Sequence, residues 1–266
     1  MKDTLQRLAR GEISVAEAER IIKALAIQKV GSLATLDTGR EFRKGIPEII
    51  IAEGKSPDDV VRIAKVMLYE NGRALISRMD KQHLKVIKQA DFGDVVFSEN
   101  RQARVIVIKN REYAISQTGG KVGILTAGTS DIPLAEEAKI VAEEMGCEVV
   151  SCYDVGVAGI HRLFIPLSDM VKKDVDVIVV VAGREGAIAS IVAGLVDIPI
   201  IAVPASMGYG FGGKGISALM SMLQACPLGL AVVNIDGGIP AGTIAALIAN
   251  RVARFRGGGK HEVNCQ

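Results

Sequence analysis

The apolar positions of this chain follow one rhythm in its first part and another in its second. Ser14 and Glu17 have the spacing of a capping box ahead of Ala18, Ile21, Ile22 and Leu25, so the first twenty-five or so residues read mainly as helix. An extended stretch over 29–35 follows, then a charged turn with Asp37, Gly39 and Arg40. Phe42-Arg43-Lys44-Gly45-Ile46-Pro47-Glu48 leads into the β-rich run Ile49-Ile50-Ile51. Ser56-Pro57, with Asp58 and Asp59 in the first turn, opens a helix to about Glu70, where Asn71-Gly72 stops it. Residues 74–77 read as a strand, and 94–119 as strand pieces and a connector, clearest at Val105-Ile106-Val107-Ile108.

From Lys121 the alternation becomes regular. Strands are expected at 122–125, 149–153, 177–181, 198–203 and 228–235. Helices are expected at 132–145, 186–195 and 216–225, with a last one ending near Phe255. Strands and helices taking turns at this spacing predict an α/β fold with a doubly wound parallel sheet. The expected organisation is a smaller N-terminal α+β domain over 1–118 and a nucleotide-binding α/β domain over 119–255. A disordered tail is expected over 256–266.

Composition sharpens this picture. Apolar residues make up 49% and charged residues 23%, while aromatics reach only 4% and Trp is absent. The core is therefore aliphatic, as buried parallel sheets are. A net charge of +2 with interspersed signs argues against a nucleic-acid partner. No apolar run is long enough for a membrane span, and Met1 to Ser14 lacks the apolar core of a signal peptide, so the expected address is the cytoplasm. Cys147, Cys152, Cys226 and Cys265, with His83, His161 and His261, are too scattered for a zinc site or a disulfide framework. They name no metal ligands.

Ligands of open α/β sheets bind beyond the carboxyl ends of the strands, and four segments belong there. Gly128-Thr129-Ser130-Asp131 opens a helix, where backbone amides suit a phosphate; Ser130 or Asp131 as a plain helix cap is the alternative. Gly156 to Arg162 carries His161, a proton carrier or a structural histidine, beside Arg162. Arg184-Glu185 is a charged pair framed by glycines: a carboxylate base or metal ligand with a phosphate partner, or a solvated loop pair. Ser206 to Gly215, with Gly208 and Lys214, permits close backbone approach to a ligand or is a mobile connector; it lacks the spacing of a Walker loop. Cys226, before Pro227, reads as a small buried hydrophobe or as a nucleophile.

Together these loops resemble the aminoimidazole ribonucleotide carboxylase/mutase family of purine synthesis. The match runs through Gly128-Thr129-Ser130-Asp131-Ile132, Ile160-His161-Arg162, residues 182–194 and Pro199-Ile200-Ile201-Ala202-Val203-Pro204. Members are octamers, so the resemblance implies a homo-oligomer. Ile132 in place of the family's Trp, Arg184-Glu185 among small residues and Cys226 in a Met-Pro segment depart from it. Residues 11–18, Arg43-Lys44-Gly45-Ile46-Pro47-Glu48 and Gln224-Ala225-Cys226 ahead of 230–236 instead resemble the LarB family over nearly the full length.

That resemblance implies a pyridinium-3,5-biscarboxylic acid mononucleotide synthase. Such an enzyme carboxylates nicotinic acid adenine dinucleotide with CO2 or bicarbonate and releases AMP, beginning assembly of a nickel-pincer nucleotide. It implies Cys226 as nucleophile and Glu185 or Asp131 as base. Gly128, Thr129, Ser130, Arg162, Arg184, Ser206, Gly208 and Lys214 would bind substrate, Arg43 and Lys44 would reach in from the N-terminal domain, and Mg2+ would sit on the phosphates. The competing expectations are a purine-pathway carboxylase or mutase and a nucleotide-sensing regulator without turnover.

Overall fold

A computed structural model describes residues 2–24, 26–31, 33–207, 210 and 212–256. The chain divides into two compact units, 1–114 and 115–266. The tail expected to be disordered lies outside the described residues from 257 onward, as does Gly208.

The first unit begins with helices α1 (Lys2–Ala9) and α2 (Val15–Ala24), separated by a turn at Gly11. The Ser14 hydroxyl accepts from the Glu17 amide at 3.2 Å, as its spacing predicts. The extended stretch is a small antiparallel hairpin, β1 (Gln28–Val30) and β2 (Ala34–Leu36). Arg40–Lys44 is a short helix, α3, for which the sequence reading assigns no element beyond the charged turn at Arg40; Gly45 ends it at φ 68°. Then follow β3 (Ile49–Ile51), α4 (Pro57–Asn71), β4 (Arg73–Ser77), α5 (Lys81–Gln89), β5 (Val95–Asn100) and β6 (Val105–Asn110). The strands form a mixed sheet in the order β3-β4-β6-β5. Ile63, Ala64 and Met67 of α4 pack on Ile76, Ile106 and Ile108. The sequence reading missed α5. Its start is fixed by Asp80, which caps the amides of Gln82 and His83, while His83 reaches back to the Asp80 amide.

The second unit holds β7 (Lys121–Thr126), α6 (Ile132–Glu144), β8 (Glu148–Cys152), α7 (His161–Lys172), β9 (Val177–Ala182), α8 (Ala187–Leu195), β10 (Ile200–Pro204), α9 (Ile216–Leu223), β11 (Leu230–Val232) and α10 (Gly238–Arg256). All five strands are parallel, in the order β11-β10-β9-β7-β8. Both faces of the sheet are covered. Ile178, Val180 and Ala182 of β9 pack with Leu163, Leu167, Ile188 and Val192 of α7 and α8. Val177, Val179 and Val181 point to the other face by strand alternation and are fully buried there, where α6 and α10 lie. This is the doubly wound fold the alternation predicts.

Several elements differ from expectation, three of them at prolines; β11 is also shorter, Leu230–Val232 where 228–235 is expected. Helix α7 went unread because Pro166 interrupts it; the proline removes one backbone donor, and Leu163, Leu167 and Met170 hold the helix by burial instead. Helix α9 ends at Leu223, because Pro227 and the extended backbone it imposes on its predecessor leave no room for further turns. Helix α10 begins at Gly238, two residues before Pro240, which falls in its first turn and so forfeits no bond.

The pairing of α6 with α10 depends on the absence of side chains. A Cβ on Gly238 would lie 2.5 Å from the Leu134 carbonyl oxygen, and one on Gly242 would lie 2.3 Å from that of Ala138. Both obstacles are backbone and cannot swing aside. Gly242→Ala is therefore expected to destabilise the protein by about 1–3 kcal/mol, the range for overpacked cores. Urea unfolding checks this; an unchanged midpoint would remove the close helix pairing as a determinant of stability.

Candidate functional site

Strand β7 is followed in space by β8 on one side and β9 on the other, so the chain reverses its direction of travel between β7 and β9. A crevice opens at the carboxyl ends of strands flanking such a reversal. A cavity of about 480 Å³ occupies it, lined from the turns after β7 (Ala127, Gly128, Ser130, Asp131), β8 (Asp154, Gly156, Arg162) and β9 (Gly183, Arg184, Glu185), with Met207 beside them.

Asp131 is the most constrained group in the cavity. It is 3% exposed, and its Oδ2 accepts from the Gly128 amide at 2.9 Å. Its Oδ1 meets no hydrogen-bond partner among the described residues. Burial pushes its pKa above the ordinary value of 3.8, and the nearby amides of Gly128 and Gly183 pull it back only in part. A buried carboxylate oxygen short of a good hydrogen bond, on a residue that lines a cavity, is a place for a donor brought by a ligand. The Asp131 side chain makes no capping bond to α6, so the plain helix-cap reading does not account for it.

The turns around Asp131 are packed backbone to backbone. A Cβ on Gly183 would lie 2.5 Å from the Met207 carbonyl oxygen, and one on Gly156 would lie 2.5 Å from that of Ala127. Arg184 takes φ 52° and Gly186 φ 65°, which turns the charged pair outward at the rim; both Arg184 and Glu185 are exposed. Ser206 does not line the cavity, but its amide donates to Asp236 Oδ1 at 2.8 Å, which ties the following loop to the turn after β11. Asp236, itself at φ 56°, was not singled out from sequence. A left-handed aspartate leaves no mark in a single sequence.

Other expected residues lie elsewhere. His161 is the first residue of α7 rather than a loop residue; it is exposed and does not line the cavity. Thr129 and Lys214 are exposed and also outside the lining. Arg43 and Lys44 are exposed on α3 of the first unit, and Arg43 donates to both carboxylate oxygens of Asp37, holding that pKa below the usual range. Among the described residues no group of three or more His, Cys, Asp or Glu could hold a metal ion.

Cys226 stands apart from the cavity of its own chain. It follows α9 in a turn, and the carbonyl of Gly229, three residues on, accepts from the amide of Ile200, the first residue of β10. Cys226 therefore lies at the amino edge of the sheet and the cavity at the carboxyl edge, roughly 15–20 Å apart for strands of this length. Of the three described cysteines it alone is exposed. Cys147 is buried beneath α10 with its pKa pushed up to about 11, and burial also raises that of Cys152.

With the geometry in place, comparison with known proteins gives its relatives. Residues 121–256, just over half the chain, match the AIR carboxylase family model, and residues 27–111 match that of a LarB/PurE-like N-terminal domain. The chain belongs to the AIR carboxylase family, in its LarB/PurE-like form. An uncharacterized protein of Methanocaldococcus jannaschii is 43% identical over 251 residues, covering 94% of this chain and 96% of that protein. An N5-carboxyaminoimidazole ribonucleotide mutase of Thermotoga maritima is 25% identical over 153 residues, 54% of this chain and 87% of that protein. One of Pyrococcus abyssi is 30% identical over 130 residues, covering 47% and 71%. These mutases match about half of this chain. The Methanocaldococcus protein matches over nearly the whole length of both chains. No described helix of this family member is long and apolar enough to cross a membrane.

The raised pKa of Asp131 has a consequence for stability. A carboxyl whose folded pKa exceeds its unfolded value contributes fully below about 3.8, and that contribution is lost as pH rises through the folded pKa. Asp131→Asn is therefore expected to raise Tm at pH 8 and to leave it nearly unchanged near pH 3.5, while abolishing ligand binding. Thermal melts at the two pH values check the sign; a lower Tm at pH 8 would contradict the burial penalty.

Proposed function

We propose that this chain carboxylates the pyridinium ring of nicotinic acid adenine dinucleotide at C5 and hydrolyses its pyrophosphate. The products are pyridinium-3,5-biscarboxylic acid mononucleotide and AMP. The observation that carries the reading is the exposed thiol of Cys226 in a family member with a LarB/PurE-like N-terminal match. An electron-rich aminoimidazole carbon attacks CO2 unaided, whereas a pyridinium ring is electron-poor and needs a nucleophile first. Addition of the Cys226 thiolate to the ring forms a C–S bond and gives a dihydropyridine whose C5 is enamine-like. That carbon bonds CO2, a base takes the C5 proton, and departure of the thiolate restores the aromatic ring. Glu185 or Asp131, both in the lining of the cavity, would take the proton. Mg2+ arriving with the pyrophosphate would find a hard oxygen donor in Glu185 and would polarise the phosphate for attack by water.

The position of Cys226 away from its own cavity supports a reaction between protomers. Its surroundings are apolar and uncovered: Met220 is 63% exposed, Leu223 65% and Leu228 93%. A patch of this kind supports a second copy docked against it. In such a homo-oligomer the thiol of one chain would serve the cavity of another.

Purified protein with the dinucleotide, bicarbonate and Mg2+ is expected to release AMP and the doubly carboxylated mononucleotide, and Cys226→Ala is expected to lose at least a hundredfold. Oligomers reassembled from Cys226→Ala and Asp131→Asn chains should regain about a quarter of wild-type activity by random assortment. Full activity of the Cys226 variant on aminoimidazole ribonucleotide, with none on the dinucleotide, would replace this reading by the purine-pathway one. Nucleotide binding without any product would favour a sensor.

A further inference from the structure

Arg162 is held in place by more of the structure than an exposed arginine requires. Its guanidinium NH1 donates to Asp154 Oδ2 at 2.7 Å, and its Nε donates to the Gly159 carbonyl at 3.3 Å. Gly159 makes room for this fold-back: a Cβ there would lie 2.8 Å from Arg162 Nε. Asp154 adopts φ 59°, a left-handed conformation that an ordinary side chain resists. The backbone around it accounts for how it stays there. Its amide donates to the hydroxyl of the fully buried Thr126 at 3.0 Å, and the next amide, of Val155, donates to the Thr126 carbonyl at 2.9 Å. The turn after β8 is thereby clipped to the end of β7, and the Asp154 carboxylate is aimed along the rim of the cavity that Arg162 also lines.

We propose that Asp154 and Gly159 are positioning residues for Arg162, holding its guanidinium pre-aimed over the cavity for the phosphate of an incoming nucleotide. The inference rests on the reading that this cavity takes a nucleotide, and it adds the device that orients the cation. A free arginine would lose rotamer entropy on binding; one already tethered loses little, so the tether is read in affinity. The guanidinium keeps Asp154 and the Gly159 carbonyl as partners and offers its remaining N–H groups to the phosphate, and no covalent step is involved.

The variants separate charge, shape and fold. Asn tolerates the left-handed conformation, so Asp154→Asn removes the charge and keeps the turn. Gly159 has no left-handed requirement, so Gly159→Ala displaces Arg162 without straining the backbone. Calorimetric titration with nicotinic acid mononucleotide is expected to show a Kd raised about tenfold by either change, and further by Arg162→Gln. In an Arg162→Gln background, Asp154→Asn and Gly159→Ala should add nothing. Equal losses with and without Arg162, or an unchanged Kd for both single variants, would overturn the proposal. The readout needs no turnover, so a failed carboxylation assay leaves these ratios standing on their own.

Discussion

A parallel sheet buried on both faces decides where this protein can do chemistry. All six residues of β9 are buried and apolar, so no polar group can be spared from the middle of the second unit. Functional groups are confined to the turns at the strand ends, and only where the chain reverses its direction of travel do those turns splay apart to leave a crevice. The close pairing of α6 with α10 through Gly238 and Gly242 supports the same arrangement from one face. The cavity is a consequence of topology before it is a consequence of any side chain.

Within that crevice the backbone does most of the positioning. Gly156 lies against Ala127, Gly183 against Met207, and the Thr126 carbonyl and hydroxyl receive two consecutive amides from the turn after β8. Turns locked to one another in this way can present charged residues without a supporting core beneath them. Asp131 bears the electrostatic cost. Its carboxyl is nearly buried in the cavity wall, with one oxygen short of a good hydrogen bond, and that imbalance is what a ligand can relieve.

The parallel sheet was legible in the sequence because strand and helix periods alternate over more than a hundred residues and the central strand β9 is uniformly aliphatic. The three turns that line the cavity were legible for a related reason: small residues and charges following a strand are hard to explain by packing. What escaped were features set by tertiary contact. Helix α7 contains Pro166 and is held by the burial of its apolar face. Asp154 and Asp236 adopt left-handed backbone for which aspartate gives only a weak signal. The separation of Cys226 from the cavity follows from which end of α9 it occupies, and a motif list contains no such distance.

That separation has a meaning for the life of the protein. Under the proposed chemistry, a soft nucleophile and the cavity that presents its electrophile stand on opposite rims of one sheet. A newly made chain cannot bring the two together by any motion short of unfolding. Catalytic competence would then be acquired at assembly, and specific activity would fall on dilution even while every chain stayed folded.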